Sequence, residues 1–99
     1  MYYLLLYDVV DDYVERRAQF REAHLKLARE ALERGELVMA GALWEPVDGA
    51  ALLFRDEDRS VAERFAEADP YVRNGLVTHW RVRRWDVVVG ADGPASPRG

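Results

Sequence analysis

The residues best suited to chemistry are a histidine and an aspartate that lie far apart in the sequence. Residues 67–75 read EADPYVRNG, which places Asp69 directly before a proline and a tyrosine. His24 is one of only two histidines in the chain, the other being His79. A carboxylate beside an imidazole fixes the tautomer of the ring and makes it a stronger base, as in a general acid–base pair. The question is whether the fold brings Asp69 to His24.

Each of these residues also has a purely structural explanation. Asp69 before Pro70 matches the N-cap of a helical turn whose first residue is proline. His24 within a helix matches a core histidine that is satisfied by a backbone carbonyl. The capping and catalytic roles of Asp69 are compatible, because a carboxylate has two oxygens. The residue types alone therefore leave both explanations open.

Composition excludes several other kinds of chemistry. The 99 residues contain no cysteine, so disulfides, thiol nucleophiles and thiolate metal ligands are ruled out. With two histidines, a multi-histidine metal site is not expected, and the sequence predicts neither a metal nor a cofactor. The net charge of −4 argues against nucleic acid as a partner. No charged-then-apolar leader precedes the first strand and no apolar run is long enough for a membrane span, so we expect a cytoplasmic protein without a membrane partner.

The apolar pattern predicts one α+β domain over residues 1–89. Apolar and β-branched runs predict strands at residues 2–10, 37–44, 50–55 and 76–89. Helical periodicity predicts a long helix at residues 13–34, stopped by Gly35, and a shorter helix at 58–67. The order β-α-β-β-α-β is the ferredoxin-like split βαβ arrangement, with both helices on one face of a four-stranded antiparallel sheet. Residues 90–99 lack apolar anchors and are predicted to form a disordered tail.

The second face of this sheet needs a cover. The first three strands, YYLLLY, LVMAGALW and AALLF, are apolar on both sides. An antiparallel sheet with one face in water should instead alternate apolar and polar residues. Two helices cover only one face, so we predict a homodimer in which the sheets of two copies stack, giving a dimeric α+β barrel.

The long helix carries polar residues on its core-facing stripe. Phe20 and Ala31 lie at the centre of the apolar arc, and His24 falls within roughly 40° of that centre at about 100° per residue. Arg21 and Arg17 share the arc, one and two turns earlier. A buried histidine or arginine is costly without a partner, so the pattern predicts a polar pocket beside the first turns of the helix. For Arg17 we expect the side chain to snorkel to the helix edge.

Other residues are candidates for lining this pocket. Arg21 could hold a carboxylate or stabilise an enolate-like oxyanion. Tyr7 and Tyr71 could donate phenolic protons or contact a substrate, although tyrosines near strands often serve packing. The small-residue step at Ala40 and Gly41 could bring backbone to the pocket wall.

The motifs resemble those of the YciI-like (YCII-related) proteins. The resemblance is carried by REAHL in the first helix, RGELVMAGAL entering the second strand, and EADPYVRNGLVTHWRVRRW near the end, and it covers about residues 1–88. It implies a dimeric α+β barrel of the ferredoxin-like type and an active-site histidine–aspartate pair, which maps onto His24 and Asp69. Similar barrels include small-molecule isomerases, dehalogenating lyases, cofactor-free oxygenases and non-catalytic binding modules. The chain departs from the family in AGALWEPVDGAALLF, where a short turn joins two strands, so the substrate class does not transfer.

Three functions fit these residues. The first is a cofactor-independent lyase or isomerase in which His24 moves a proton of a small anionic or polar organic molecule and Asp69 orients the imidazole. The second is a non-catalytic ligand-binding or regulatory dimer that uses the same pocket. The third is a structural dimer whose histidine and aspartate merely satisfy each other.

Overall fold

The computed structural model describes residues 1–90. Its strands and helical segments follow one another in the predicted order β-α-β-β-α-β, with each helical segment divided in two. The strands are β1 (Tyr2–Val9), β2 (Leu37–Leu43), β3 (Gly49–Arg55) and β4 (Val77–Trp85). The helices are α1 (Tyr13–Arg17), α2 (Arg21–Glu33), α3 (Ser60–Ala68) and α4 (Pro70–Arg73). The predicted α+β class is confirmed. Of the predicted tail at 90–99, all residues except Gly90 lie outside the described residues.

The sheet is antiparallel, with the strand order β2-β3-β1-β4. Each helical crossover therefore connects two parallel strands that have one antiparallel strand between them, which is compatible with the split βαβ arrangement. The fourth strand ends at Trp85 and not at residue 89 as predicted. The reason is that its neighbour β1 begins at Tyr2, which pairs with Trp85, so the residues that follow have no partner strand.

A glycine permits the close approach of β1 and β3. A Cβ added at Gly49 would lie 2.6 Å from the backbone oxygen of Tyr7. Any larger residue at this position would displace one of the two strands. Gly49 therefore helps to set the position of Tyr7, whose side chain points toward the helices.

The core lies between the sheet and the helices. Tyr3, Leu5 and Tyr7 are buried because alternate residues of a strand share one face. They belong to one apolar cluster with Phe54 of β3 and Phe65 of α3, and these two rings lie 5.3 Å apart. The predicted helix-covered face is thus observed.

The opposite face of the sheet is apolar on β1, β2 and β3, whereas β4 contributes exposed arginines to it, and the chain's helices do not cover this face. Tyr2, Leu4 and Leu6 of β1 are only half-buried, and Met39 of the edge strand β2 is 64% exposed. Register places Met39 beside Leu53, which pairs with Leu4 on its other side. We call Tyr2, Leu4, Leu6, Met39 and Leu53 the open sheet face, and the homodimer predicted to cover it stays a prediction.

The long helix predicted for residues 13–34 is wrong in one respect, because it is interrupted. α1 ends at Arg17 and α2 begins at Arg21. In the turn between them, the N–H of Phe20 donates to the carbonyl of Arg17 at 2.9 Å. This hydrogen bond spans three residues, as in a 3₁₀ turn, and not four as in an α-helix. Ala18 and Gln19 are good helix formers, so no local signal marks the break.

The far end of α2 behaves as predicted. Gly35 has φ 78°, a left-handed conformation that glycine adopts without strain. Its N–H donates to Leu32, and the N–H of Glu36 donates to Ala31, both at 3.0 Å. This pair of hydrogen bonds is a Schellman motif, which ends the helix and turns the chain into β2.

Candidate active site

Asp69 joins α3 to α4 in an extended backbone conformation, with φ −67° and ψ 123°. Its Oδ1 accepts a hydrogen bond from the backbone N–H of Tyr71 at 3.0 Å. Pro70 occupies the first position of the short helix, where a missing N–H is of no consequence. Asp69 is therefore an N-cap, as one of the two explanations for its position requires.

The same carboxylate also contacts His24. Oδ1 of Asp69 lies 2.8 Å from His24 Nδ1, and Oδ2 accepts a hydrogen bond from the hydroxyl of Tyr7 at 2.7 Å. The Asp69 side chain is fully buried. A buried carboxylate must be hydrogen-bonded to remain stable, and here three donors share its two oxygens. The cap and the contact with His24 therefore coexist.

This geometry selects the tautomer of the imidazole. An ionised carboxylate can only accept hydrogen bonds, so Nδ1 of His24 carries a proton. In the neutral ring, Nε2 then presents a lone pair. No residue of the described chain is hydrogen-bonded to Nε2, and the side chain is 15% exposed. His24 therefore has one nitrogen committed to Asp69 and one available for chemistry.

Aromatic side chains hold the imidazole in place. Tyr71 stacks on it with ring centroids 4.0 Å apart and an interplanar angle of 9°. Phe65 meets the ring at an angle of 82°, with centroids 6.4 Å apart. Tyr13 supports Tyr71 from the side in an edge contact at 5.6 Å. These contacts restrict rotation of the ring and so fix the direction of Nε2.

The phenols around the pair remain protonated. Burial raises the pKa of the Tyr7 hydroxyl, and the charge of Asp69 and the hydrogen bond to it raise this pKa further. Burial also raises the pKa of Tyr71 and of Tyr13. Tyr7 therefore donates to Asp69 as a neutral phenol and does not act as a phenolate base.

A cavity of about 500 Å³ lies beside His24, between α2 and the edge strand β2. Small residues of the sheet, Ala40, Gly41 and Ala42 on β2 and Ala50 on β3, line the side opposite the helix. Their short side chains leave the space open. The cavity also has polar lining residues: Tyr7, Tyr13, Arg17, Arg21, His24, Arg29 and Tyr71.

The structure brings the predicted site residues together. Those that line the cavity are Tyr7, Arg21, His24, Ala40, Gly41 and Tyr71. Asp69 lies behind the cavity wall, where it contacts His24 and Tyr7. The other histidine, His79, is exposed on β4 and is not part of the lining. The catalytic and binding roles of these residues stay predictions.

Sequence reasoning missed Tyr13 and misplaced Arg17. Arg17 does not snorkel away, but is half-buried with its guanidinium over the Tyr13 ring, 5.3 Å from the centroid. Tyr13 is 4% exposed. The signal that could have found them is their spacing of four residues on one helix, which suits an arginine–aromatic contact.

Two further observations bear on metals and membranes. Within residues 1–90, no group of three histidine, aspartate or glutamate side chains is placed to hold a metal ion. In the same part of the chain, no helix has both the length and the apolar character needed to cross a membrane.

The fold and the site define a small α+β domain in which a partly exposed histidine contacts a buried aspartate, at a cavity between a helix and the edge of a sheet. The chain belongs to the YCII-related domain family, because the family model matches residues 1–86. The resemblance seen in its motifs is thereby confirmed. No curated protein sequence matches the chain.

Solved structures share this fold. The chain is similar to 5-chloro-2-hydroxyhydroquinone dehydrochlorinase (TftG) from Burkholderia phenoliruptrix AC1100, solved in complex with 2,5-dihydroxybenzoquinone. That match has a TM-score of 0.75 and 20% identity, over 88% of this chain and 95% of the other. It is also similar to protein Atu4242 from Agrobacterium tumefaciens, with a TM-score of 0.53 and 16% identity, over 84% of this chain and 89% of the other. At these identities the similarity establishes the fold alone.

Proposed function

We propose that this protein is a cofactor-independent lyase or isomerase that acts on a small organic molecule. His24 transfers the proton, and Asp69 orients the imidazole and stabilises its charged form. The observation that carries the proposal is the 2.8 Å contact between His24 Nδ1 and a fully buried carboxylate, in a ring that lines a cavity of about 500 Å³. The dehydrochlorinase activity in the name of the similar structure TftG supports the lyase class.

The proposed first step is removal of a proton from a carbon next to a carbonyl or enol group. The lone pair of His24 Nε2 takes the proton, and the electrons of the C–H bond move toward the neighbouring carbon–oxygen group. The ring becomes an imidazolium, which the adjacent Asp69 carboxylate stabilises. In an elimination, the electrons then expel a leaving group such as chloride. In an isomerisation, the imidazolium returns the proton to a different atom, so neither route consumes an oxidant or a reductant.

The remaining predicted residues have supporting roles in this proposal. Arg21 lies one helical turn before His24 and would stabilise negative charge on the substrate oxygen. Tyr71 and the Ala40–Gly41 segment would contact the substrate. Tyr7 acts through Asp69, because its hydroxyl is committed to Oδ2.

The test combines product analysis with hydrogen exchange. The protein is incubated with 5-chloro-2-hydroxyhydroquinone, with chloride release as the readout, and with a panel of small ketones and hydroxyquinones in D₂O, with deuterium incorporation followed by NMR. We expect turnover of at least one compound, and a fall of roughly 100-fold or more in His24→Gln. Lys26→Gln, on the exposed side of the same helix, serves as the control and should keep wild-type turnover. Turnover that survives in His24→Gln would exclude the proposed role.

The alternative function is a binding or regulatory protein without chemistry. The observation that favours it is the cationic character of the lining, which suits retention of an anion as well as its conversion. Glutamine at position 24 keeps an N–H donor but cannot act as a base. Ligand affinity that is unchanged in His24→Gln, together with no turnover in the wild type, identifies a binding protein.

We further propose that two copies associate through the open sheet face to form a ferredoxin-like dimeric α+β barrel. The support is the half-buried apolar set on β1 and the 64% exposure of Met39 at the edge. Stacking these faces would remove from water the apolar surface that the helices leave open. The cytoplasmic location and the lack of a nucleic-acid partner stay predictions from composition.

A further inference from the structure

The charge of the cavity differs from that of the whole protein. The chain has 18 acidic residues against 14 lysines and arginines, with a net charge of −4. Among the described residues, however, no aspartate or glutamate lines the cavity, whereas Arg17, Arg21 and Arg29 do. An excess of acids elsewhere and none at the cavity indicates a site that attracts anions.

The cavity arginines are not neutralised by the chain. Arginines outside the cavity form ion pairs, as in Arg16–Asp12, Arg34–Glu36 and Arg59–Glu63. Within residues 1–90, no carboxylate pairs with any of the three cavity arginines. The carboxylate of Asp69 lies behind the site, and its oxygens already accept hydrogen bonds from the protein.

The positive charge acts at the end of the cavity where His24 lies. Burial raises the pKa of Tyr13 and of Tyr71, and the charges of Arg17 and Arg21 oppose this rise at both phenols. Tyr71 is the ring that stacks on His24. The two guanidiniums therefore act electrostatically on two phenols that line the cavity, one of which belongs to the ring stacked on His24.

Arg21 and His24 are neighbours on one side of α2. They are three residues apart, which corresponds to about 4.5 Å along the helix axis, and both line the cavity. One small molecule in the cavity can therefore contact both side chains.

In the other direction the cavity lining contains large apolar side chains, with Arg29 of α2 before them. Leu32 lies about 12 Å beyond His24 along α2, and it is 54% exposed. Trp44, just after β2, also lines the cavity and is 75% exposed. Large exposed apolar side chains at a cavity mouth suit contact with the apolar part of a ligand.

We propose that the substrate is an organic anion with an apolar body. Its acidic group binds between Arg17 and Arg21, its reacting carbon lies at His24, and its aromatic or branched alkyl part extends toward Leu32 and Trp44. The inference rests on the proposed function, since it names the substrate class for that same site.

Matched probes test the preference for charge. Each probe pair has one shape and differs in charge: benzoate and benzamide, cinnamate and cinnamamide, 2-naphthoate and 2-naphthamide. Binding to the full-length chain is measured by calorimetry, with NMR of the arginine Nε–H groups to locate the site. We expect at least one carboxylate to bind about ten-fold more tightly than its amide. The preference should fall to about two-fold or less in Arg17→Gln/Arg21→Gln, whereas Arg16→Gln should keep it, because Arg16 pairs with Asp12 outside the cavity.

Several outcomes would overturn the inference. The first is equal affinity for the carboxylate and the amide in every probe pair, and the second is no binding by any probe. The third is a preference for the carboxylate in Arg17→Gln/Arg21→Gln that is as large as in the wild type. His24→Gln separates this inference from the proposed function. If that variant and the wild type both prefer carboxylates but no turnover is found, the anion site stands and the proposed function fails. If His24-dependent turnover occurs without a carboxylate preference, the proposed function stands and the anion site fails.

Discussion

A single buried carboxylate organises the candidate site at the scale of residues. Oδ1 of Asp69 is shared between the backbone N–H of Tyr71 and Nδ1 of His24, and Oδ2 accepts from Tyr7. The structural role as a cap and the proposed catalytic role therefore belong to one side chain. They can be separated by substitutions that keep one role and remove the other.

Asp69→Asn and Asp69→Ala should have different effects. Asparagine keeps an oxygen for Tyr71 N–H but loses the charge that stabilises an imidazolium, so we expect turnover to fall roughly 100-fold or more with a smaller loss of stability than in alanine. Alanine removes the cap and leaves the buried Tyr7 hydroxyl without an acceptor. The free energy of unfolding should then fall by about 2–4 kcal/mol, measured by urea denaturation and tryptophan fluorescence.

Asp58→Ala is the matched control for these variants. The exposed Asp58 carboxylate accepts a hydrogen bond from Ser60 N–H at 3.0 Å at the start of α3 and contacts no histidine. Its loss should cost about 0.5–2 kcal/mol and leave turnover unchanged. Full turnover in Asp69→Asn would mean that Asp69 is a cap and nothing more.

The buried phenols predict a loss of stability in alkaline solution. The pKa of Tyr7 is raised in the folded protein by burial and by Asp69, and burial also raises the pKa of Tyr13 and of Tyr71. Unfolded tyrosines release their protons near pH 10, whereas these folded ones retain them. The stability is therefore fully present below about pH 10 and falls as the pH rises above it. Urea denaturation between pH 8 and 11 should show this fall, with a shallower slope in Tyr7→Phe. Identical slopes for the two proteins would contradict the expectation.

At the scale of elements, the site depends on how four segments are positioned. β1 carries Tyr7, α2 carries His24, the α3–α4 junction carries Asp69, and β2 supplies small residues opposite α2. The distance between β1 and β3 depends on Gly49, whose Cα lies against the Tyr7 backbone. The geometry of the Asp69 contacts is thus linked to a position that lies outside the hydrogen-bonded cluster.

Gly49→Ala should destabilise the protein far more than Gly41→Ala. A methyl group at Gly49 would lie 2.6 Å from the Tyr7 backbone oxygen, whereas a methyl group at Gly41 meets nothing within 4 Å. We expect a loss of about 1–3 kcal/mol for Gly49→Ala, and a change within about 0.5 kcal/mol of zero for Gly41→Ala. Urea denaturation of both variants makes the comparison, and equal losses would show that the approach of β1 to β3 is not limiting.

At the scale of the whole molecule, the main feature is the open sheet face. The helices bury one side of the sheet, and the apolar residues on the other side remain partly in water. An apolar face of this kind in a protein of ordinary composition favours self-association. The proposed dimer is the arrangement in which identical faces cover each other.

Leu4→Lys should dissociate the proposed dimer. Leu4 is half-buried on β1 and lies between Leu53 and Arg83 in the sheet. An ammonium group there would stand beside the like charge of Arg83 and would be buried without a counter-charge on association, so light scattering after size exclusion should change from the mass of two chains to that of one. Val14→Lys, on the 48% exposed outer side of α1, is the control and should remain dimeric. A monomeric wild type, or a dimeric Leu4→Lys, would refute the proposed interface.

Local signals in the sequence were sufficient for the order of elements, and they singled out His24 and Asp69 as candidates without deciding whether the two residues meet. Apolar runs and helical periodicity depend on neighbours within a few residues, so they predict strands, helices and the stop at Gly35 well. The Asp69–Pro70 step predicts its own cap for the same reason. His24 was identifiable because a polar residue on an apolar stripe requires a partner.

Only the tertiary structure decided the features that depend on residues far apart in the chain. The hydrogen bond from Tyr7 to Asp69, the stacking of Tyr71 on His24 and the position of Arg17 over Tyr13 need three different elements to be packed first. The turn at residues 18–20 has no local signal, and the end of β4 is set by the length of its neighbour β1. Short-range patterns carry no information on such contacts, because their free energy arises from packing between elements and not from the propensities within them.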